Sequence, residues 1–384
     1  MKIARVATVP FFLYNHLRDQ ITAIIQEGHD VVLISSHGIE TEWLKRIPGV
    51  KIHEIEIPRK ISPVRDLIAL WKLYRFFRHE RFDLVHSTTP KSGMLCAIAS
   101  TLAGVPIRLH TFTGQVWMEM HGMMRMIAKS GDRLTALLDT LCFADSPSQV
   151  DFIIAEGICN RESIRLTGQS GSLSGVDLSR FDPYIWENSK KTTLKELGIP
   201  PDQKVITFIG RMTRDKGTKE LIAAFRLLRR RGLKCILLLI GPRETKDGLL
   251  PDPKKDLIAE DIKCIGYSNQ PERYLAVTDI FCLPSYREGF GNVVVEAAAM
   301  GIPAVGTDII GLRDAIVDGE TGILVPPKDI EVLANALEIL LTDEKKRKCM
   351  GEKARIRARK EFSSKLVNQA VLDEYERLRI SILT

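Results

Sequence analysis

The chain is 384 residues long, enough for two domains at about 150 residues each, and its 45% apolar and 27% charged residues exclude intrinsic disorder. No run approaches the roughly 18 unbroken apolar residues of a bilayer-spanning helix, and the opening MKIARVATVPFF lacks the long apolar stretch of a signal peptide. With 55 Lys and Arg against 48 Asp and Glu, the net charge of +7 is mild; it permits an anionic partner, but no nucleic-acid-binding motif accompanies it.

Short β-branched runs alternate with amphipathic helical stretches. Strands are expected over 2–9, 30–35, 50–57, 82–87 and 107–112, with helices near 13–27, 63–80 and 91–103. A long helical stretch follows at 121–143, and 163–167 is expected to be the last strand of this half. The run GQSGSLSGVDLSRFDP over 168–183 is rich in Gly and Ser and reads as a crossing loop. A second alternation then begins. Its strands are expected over 205–210, 235–241, 262–267, 280–284, 304–306 and 322–325, with helices near 217–230, 271–277, 292–300 and 329–341. The last stretch, 363–383, is helical in pattern; it either caps the second half or crosses back to the first. The economical architecture is α/β: two doubly wound domains over 1–170 and 191–362, a linker over 171–190, and a terminal helix over 363–384. No tandem repeat is visible, which excludes a solenoid.

Seven scattered cysteines without a Cys-x-x-Cys pair do not make a disulfide framework, so a reducing, cytoplasmic compartment is expected. All eight histidines fall between His16 and His121 and none has metal-ligand spacing, so no His-based zinc site is expected; no plausible Asp-x-Asp follows a strand either, and the expectation is a protein without metal or cofactor.

Ligands of open α/β sheets bind beyond the carboxyl ends of the strands, and in a two-domain chain the default site is the cleft between the sheets. Two strand-end loops stand out. The strand ending at Ile209 runs into Gly210-Arg211, and Lys216-Gly217 opens the next helix. Two cations beside a helix N-terminus suit a diphosphate. The second is PSYREGFGNVVVEAAAMG, 284–301, with Glu288, Gly289, Phe290, Gly291, Asn292, Val293 and Glu296. Asn292 is expected to cap the helix. The glycines admit a ligand close to the backbone and leave the amides of Gly291 to Val294 open to an oxyanion. Glu296, further along the helix, is placed to grip ribose hydroxyls, and Glu288 sits forward. Taken singly, each of these residues also fits an ordinary solvated loop or capped helix.

Together they resemble the family-four retaining glycosyltransferases of the GT-B fold. The resemblance rests on Glu288-Gly289-Phe290-Gly291 with Glu296, on Gly210-Arg211 with Lys216-Gly217, on Gly175-Val176-Asp177 with Phe181, and on Asp318 to Val325. It covers about 170–330. It implies two Rossmann-like domains facing a cleft, with the terminal helix crossing back to the first. It also implies that Arg211 and Lys216 hold a diphosphate, Glu296 the ribose, and Glu288 with the 290–293 amides the transferred sugar. In the first half Thr8-Val9-Pro10, Ser87 to Lys91 and His110 to Trp117 resemble the branch that builds bacterial surface polysaccharides. A Gly-Gly loop after the first strand and a His-Gly after the fifth are replaced here by Val9-Pro10-Phe11-Phe12 and Thr113-Gly114. Thr113, Gly114 and His110 are the acceptor-side candidates, although His110 inside an apolar strand also reads as a core residue.

Residues 58–81 carry seven Lys or Arg against two acids, with Leu67, Leu70, Trp71, Tyr74 and Phe77 at helical spacing. The 121–143 stretch repeats the theme with Met123, Met124, Met126 and Ile127 beside Arg125, Lys129 and Arg133. Each is either a packed helix with a basic face or a helix lying on an anionic membrane.

The expected activity is metal-independent, retaining transfer of a hexosyl or N-acetylhexosaminyl group. The donor is a UDP-sugar and the acceptor a polyprenyl-diphosphate-linked glycan at the inner face of the cytoplasmic membrane, with no nucleic-acid partner. The rivals are a nucleotide-sugar epimerase of the same architecture and a non-catalytic nucleotide-sugar or membrane-binding subunit. The missing Gly-x-Gly-x-x-Gly and Gly-x4-Gly-Lys-Ser/Thr strings disfavour a dehydrogenase and an ATPase.

Overall fold

The computed structural model describes residues 1–59, 61–243 and 261–383; Lys60 of the basic stretch lies outside them. The chain divides into two compact units, Met1–Gly175 with Ser364–Thr384, and Val176–Ser363.

The first unit follows the strand–helix alternation of its sequence. Its elements are β1 (Lys2–Ala7), α1 (Pro10–Gln26), β2 (Asp30–Ser35), α2 (Glu40–Leu44), β3 (Val50–Glu54), α3 (Pro63–Glu80) and β4 (Leu84–Thr88). There follow α4 (Pro90–Ala103), β5 (Ile107–Phe112), α5 (Gly122–Leu138), β6 (Leu141–Ala144), α6 (Pro147–Ala155) and β7 (Ile164–Leu166). All seven strands are parallel, in the order β3-β2-β1-β4-β5-β6-β7. A sheet of parallel strands is covered on both faces, and β1, β2, β4 and β5 are buried along nearly their whole length, polar residues included, whereas the edge strand β3 is largely exposed. One face packs Ala69, Leu73 and Phe77 of α3 with Leu95 and Ala99 of α4.

One expectation fails here. The single helical stretch over 121–143 is broken: α5 ends at Leu138 and the chain enters the buried strand β6.

The second unit contains α7 (Pro183–Leu197), β8 (Lys204–Ile209), α8 (Thr218–Arg230), β9 (Cys235–Ile240), β10 (Ile262–Gly266), α9 (Pro271–Leu275) and β11 (Ile280–Leu283). It continues with α10 (Asn292–Ala299), β12 (Ala304–Thr307), α11 (Leu312–Ala315), β13 (Gly322–Val325), α12 (Ile330–Thr342) and α13 (Glu344–Glu361). Its strands are again parallel, in the order β10-β9-β8-β11-β12-β13. Residues 183–190, expected within a linker, instead form the first half of α7. Its N-cap Asp182 accepts the Tyr184 amide at 3.0 Å, and Pro183 supplies the fixed φ of a first helical residue. Val176 donates to the Phe362 carbonyl at 2.7 Å, and Phe181 is buried in this unit's core.

The terminal helix α14 (Ser364–Leu383) belongs to the first unit. Val371, Leu372, Tyr375 and Leu378 pack with Leu13, Leu17, Ile21 and Ile24 of α1 on the sheet face opposite α3 and α4. The crossing-back reading of this helix therefore holds.

Candidate active site

In the second unit β8 and β11 are neighbours in the sheet, so their carboxyl-end loops are neighbours too. Gly217 takes a left-handed φ of 65° to start α8, and a Cβ there would meet the Pro284 carbonyl oxygen at 1.9 Å. Only glycine lets the two loops touch. The Tyr286 amide donates to the Asp215 carbonyl at 2.8 Å, and the Lys216 ammonium lies 2.6 Å from Glu288 Oε1. Lys216 and Glu288, 72 residues apart, are thus brought together, each less than one-fifth exposed. Ser285 Oγ donates to the same Glu288 oxygen at 2.8 Å.

Arg211 is exposed on the same loop. Between it and Lys216 sits Asp215, which the sequence reading missed. Burial pushes its carboxyl up, but the Thr213 hydroxyl at 2.5 Å, with Lys216, Arg211 and Arg287, outweighs burial and holds it below its ordinary range. Asp215 therefore stays charged and anchors this cluster of cations. The available signal was its place in Arg214-Asp215-Lys216-Gly217, between two cations.

The loop after β11 departs from expectation in two details. Gly291, not Asn292, is the N-cap of α10; it holds φ 90°, and a Cβ there would sit 2.6 Å from Leu312 Cδ2. Asn292 is the first helical residue. The Val294 amide is already used, donating to the Gly291 carbonyl at 2.8 Å, so the oxyanion-facing amides reduce to the very first turn. Phe290 is buried, its ring 5.1 Å from Phe362, so only its backbone is available to a ligand. Gly289 is buried, and Gly210 follows β8, donating to the Ile240 carbonyl at 2.9 Å. Val293 and Glu296 are partly exposed on α10. Desolvation pushes the Glu296 carboxyl up to about 7; Arg180 draws it down and Glu272 opposes Arg180. Arg180 and Glu272 are themselves paired at 2.9 Å.

In the first unit Thr113 and Gly114 lie in the loop after β5, Thr113 partly exposed and Gly114 buried with φ 95°. His110 is a core side chain. Its Nδ1 lies 2.9 Å from Ser87 Oγ, its ring packs against Gly93, and burial pushes its pKa down to about 3. His86 is likewise buried, between Tyr375 at 2.6 Å and Thr111 at 2.7 Å. Beside the Thr113 loop is a polar group absent from the sequence reading. Asp145 follows β6 directly, is buried, and has its carboxyl pushed well up by desolvation. Its amide donates to Gln149 Oε1 at 2.8 Å, and Gln149 Nε2 in turn reaches Gln115 Oε1 at 3.3 Å. Asp145 was invisible because its strand was. The loops after β1 and β4 meet through the Thr8 and Thr89 hydroxyls, 2.8 Å apart, with Thr89 at a strained φ of 83°. Among the described residues no cluster of His, Cys, Asp or Glu suits a metal ion, and no helix is long and apolar enough to cross a membrane.

Residues 189–357 match the model for glycosyl transferases group 1, and residues 15–166 match the glycosyl transferase 4-like domain. The chain is 30% identical over 352 residues to the capsular polysaccharide biosynthesis glycosyltransferase CapM of Staphylococcus aureus, which spans 91% of this chain and 90% of that protein. The chain belongs to the group 1 glycosyl transferases. This glycosyltransferase is also 27% identical over 303 residues to the UDP-Gal:alpha-D-GlcNAc-diphosphoundecaprenol alpha-1,3-galactosyltransferase of Escherichia coli, covering 77% of this chain and 76% of that one. In fold it matches sucrose-phosphate synthase from Thermosynechococcus elongatus with a TM-score of 0.79 at 19% identity, over 99% of this chain and 100% of the other. It matches HepE of Anabaena in complex with UDP-glucose with a TM-score of 0.77 at 19% identity, over 98% and 100%. The glycosyltransferase thus has the GT-B fold of two Rossmann-like domains.

Proposed function

We propose that this glycosyltransferase moves a sugar from a UDP-sugar to a polyprenyl-diphosphate-linked glycan, with retention at the anomeric carbon, in surface polysaccharide synthesis. The observation that carries the donor half is the contact of Lys216 with Glu288, which joins a cationic loop to the loop leading into α10. Arg211, Lys216 and the first turn of α10 offer positive charge where a leaving diphosphate becomes more negative. Glu288 holds the Lys216 ammonium in place through one oxygen and offers the other to the transferred sugar. The Glu296 carboxylate accepts from ribose hydroxyls. Two fixed cations do the work for which other transferases recruit a metal. A same-face attack steered by the departing phosphate needs no strong protein base. That suits a first unit in which His110 is buried and Thr113-Gly114 stands at the end of β5.

The acceptor half is supported by the named substrate of the Escherichia coli relative and by the outer surface of the first unit. Helix α5 is turned with its apolar side out: Met123 is 71% exposed and Leu137 79%, while Asp132, Thr135 and Ala136 are buried. Asp132 accepts from Trp117 Nε1 at 2.7 Å, which fixes this orientation. On α3, Val64, Leu67, Ile68 and Trp71 are also exposed, with the Arg75 guanidinium over the Trp71 ring at 4.7 Å. The outward apolar stripe of α3, flanked by Lys and Arg, and that of α5, whose Arg125 and Lys129 pair with Glu156, suit the inner face of an anionic membrane, where the lipid-linked acceptor resides.

Calorimetric titration of UDP and UDP-sugars in excess chelator tests the donor half. Binding of UDP, lost in Arg211→Ala, is the expected result; binding only after a divalent metal is added would overturn the metal-free mechanism.

A further inference from the structure

At the amino edge of the first sheet, opposite the strand-end loops, lies a cavity of about 400 Å³ lined by Phe77, Arg78, Arg81, Phe82, Asp83 and Val105, among others. It forms where α3 and α4 end and the chain turns into β4 and β5. Arg78 continues the outward stripe of α3: Val64, Leu67, Trp71, Arg75 and Arg78 recur at spacings of three and four and lie on one side of the helix. Arg81 is the C-cap of α3 and holds a left-handed φ of 53°, where glycine or asparagine is the usual occupant. The chain thus places a guanidinium at a position that disfavours it. Asp83, the acid of the lining, is engaged by the Lys2 amide at 2.6 Å. Among the described residues neither Arg78 nor Arg81 has an ion-pair partner. Phe77 and Phe82 are buried beneath the lining, and the Lys2 ammonium lies 5.4 Å from the Phe82 ring.

Two unpaired guanidiniums at the end of an apolar helical stripe match a phosphate that carries acyl chains. A guanidinium pairs bidentately with phosphate oxygens, and the stripe accommodates the hydrocarbon boundary. We propose that this cavity binds the phosphate diester of an anionic phospholipid, a site distinct from the acceptor loops. The proposal rests on reading the outward faces of α3 and α5 as membrane-facing.

The test uses the full chain. Short-chain phosphatidylglycerol, kept below its micelle concentration, is titrated by calorimetry. Vesicles of phosphatidylcholine with and without phosphatidylglycerol are assayed by sedimentation. Arg78→Gln with Arg81→Gly removes both guanidiniums, and glycine suits the left-handed cap. Arg65→Gln with Lys72→Gln removes the same charge from the same helix, outside the cavity and off its stripe. The first pair should weaken short-chain lipid binding about tenfold or more, and the second by no more than about twofold. Equal losses in the two pairs, or no loss in the first, overturn the proposal. So does inorganic phosphate binding as tightly as the lipid, because the occupant is then a free anion. Wild-type protein that binds the short-chain lipid but ignores both kinds of vesicle refutes the membrane reading of the helix faces and leaves the cavity's ligand standing.

Discussion

Lys216→Ala separates the structural from the chemical work of the second unit's loops. The lost contact is a 2.6 Å ion pair between side chains 18% and 13% exposed. Such a pair is worth more than the 0–1 kcal/mol of a surface bridge, and its loss costs less than the 3–5 kcal/mol of breaking a fully buried one. About 1–2 kcal/mol of stability should go, lowering the Tm by roughly 2–8 °C in a unit of this size. Ser285 still donates to Glu288 at 2.8 Å, so the carboxylate keeps one partner and the loop its path. Activity should suffer more. A charge-assisted bond to a diphosphate is worth about 1.5–3 kcal/mol, so kcat/KM should fall roughly 10- to 150-fold. Lys216→Arg should recover part of it. Initial rates of sugar transfer and thermal unfolding are measured on the same preparations, below the unfolding transition. A Lys216→Ala protein with a lowered Tm but wild-type kcat/KM would show that the pair only ties two loops together, and the diphosphate role would fall.

Three further outcomes follow from the structure. Gly217→Ala places a Cβ 1.9 Å from the Pro284 carbonyl at a left-handed φ; it should cost several kcal/mol and abolish UDP binding, and a stable, UDP-binding variant would show that the loops need not touch. Glu296 titrates near 7 in the fold against a reference of 4.5. The folded chain therefore holds a proton that the unfolded chain releases between those values, and its contribution to stability is lost as pH rises from about 4.5 to about 7. Glu296→Gln should raise the Tm at about pH 8 and leave it unchanged near pH 4.5; it should also erase the tightening of UDP binding expected for wild type across pH 6 to 8, and an unchanged pH profile contradicts both. Replacing Met123, Met126, Ile127 and Leu137 with Ser should leave the Tm and UDP affinity near wild type, because all four are exposed, and should strongly reduce sedimentation with phosphatidylglycerol vesicles; undiminished sedimentation removes α5 from the membrane surface.

The parts of this fold that were legible in the sequence are those with strong periodicity and clear boundaries. β8, β9 and β11 are apolar runs bounded by Gly or Pro, and the loops following β8 and β11 announced themselves as strand, glycine, charge and helix. β6 was lost because Leu141 to Ala144 continues the apolar character of α5 with no Gly or Pro between them; a four-residue buried strand has no period of its own. Losing β6 also hid Asp145 and α6. α13 went unread because its run EKKRKCMGEKARIRARKE buries only small or single apolar side chains, Met350, Ala354 and Ala358, along with Arg347 and Gly351. The direction in which α5 faces is a tertiary fact. Periodicity finds its apolar stripe, but the Trp117–Asp132 bond, with the ties of Lys129 and Arg133 to Glu156 and Gly157, turns the polar side inward. The pairing of Lys216 with Glu288 needed the adjacency of β8 and β11, which strand order supplies and local sequence does not.

The central claim is transfer from a UDP-sugar to a lipid-linked acceptor. Its most direct test is to incubate the protein with labelled UDP-sugars, a polyprenyl-diphosphate-linked sugar and excess chelator, and to follow the label into the lipid product and its anomeric configuration. A labelled lipid product with the donor's configuration retained is the expected result. Free labelled sugar, or an isomerised UDP-sugar formed equally well without acceptor, would contradict it.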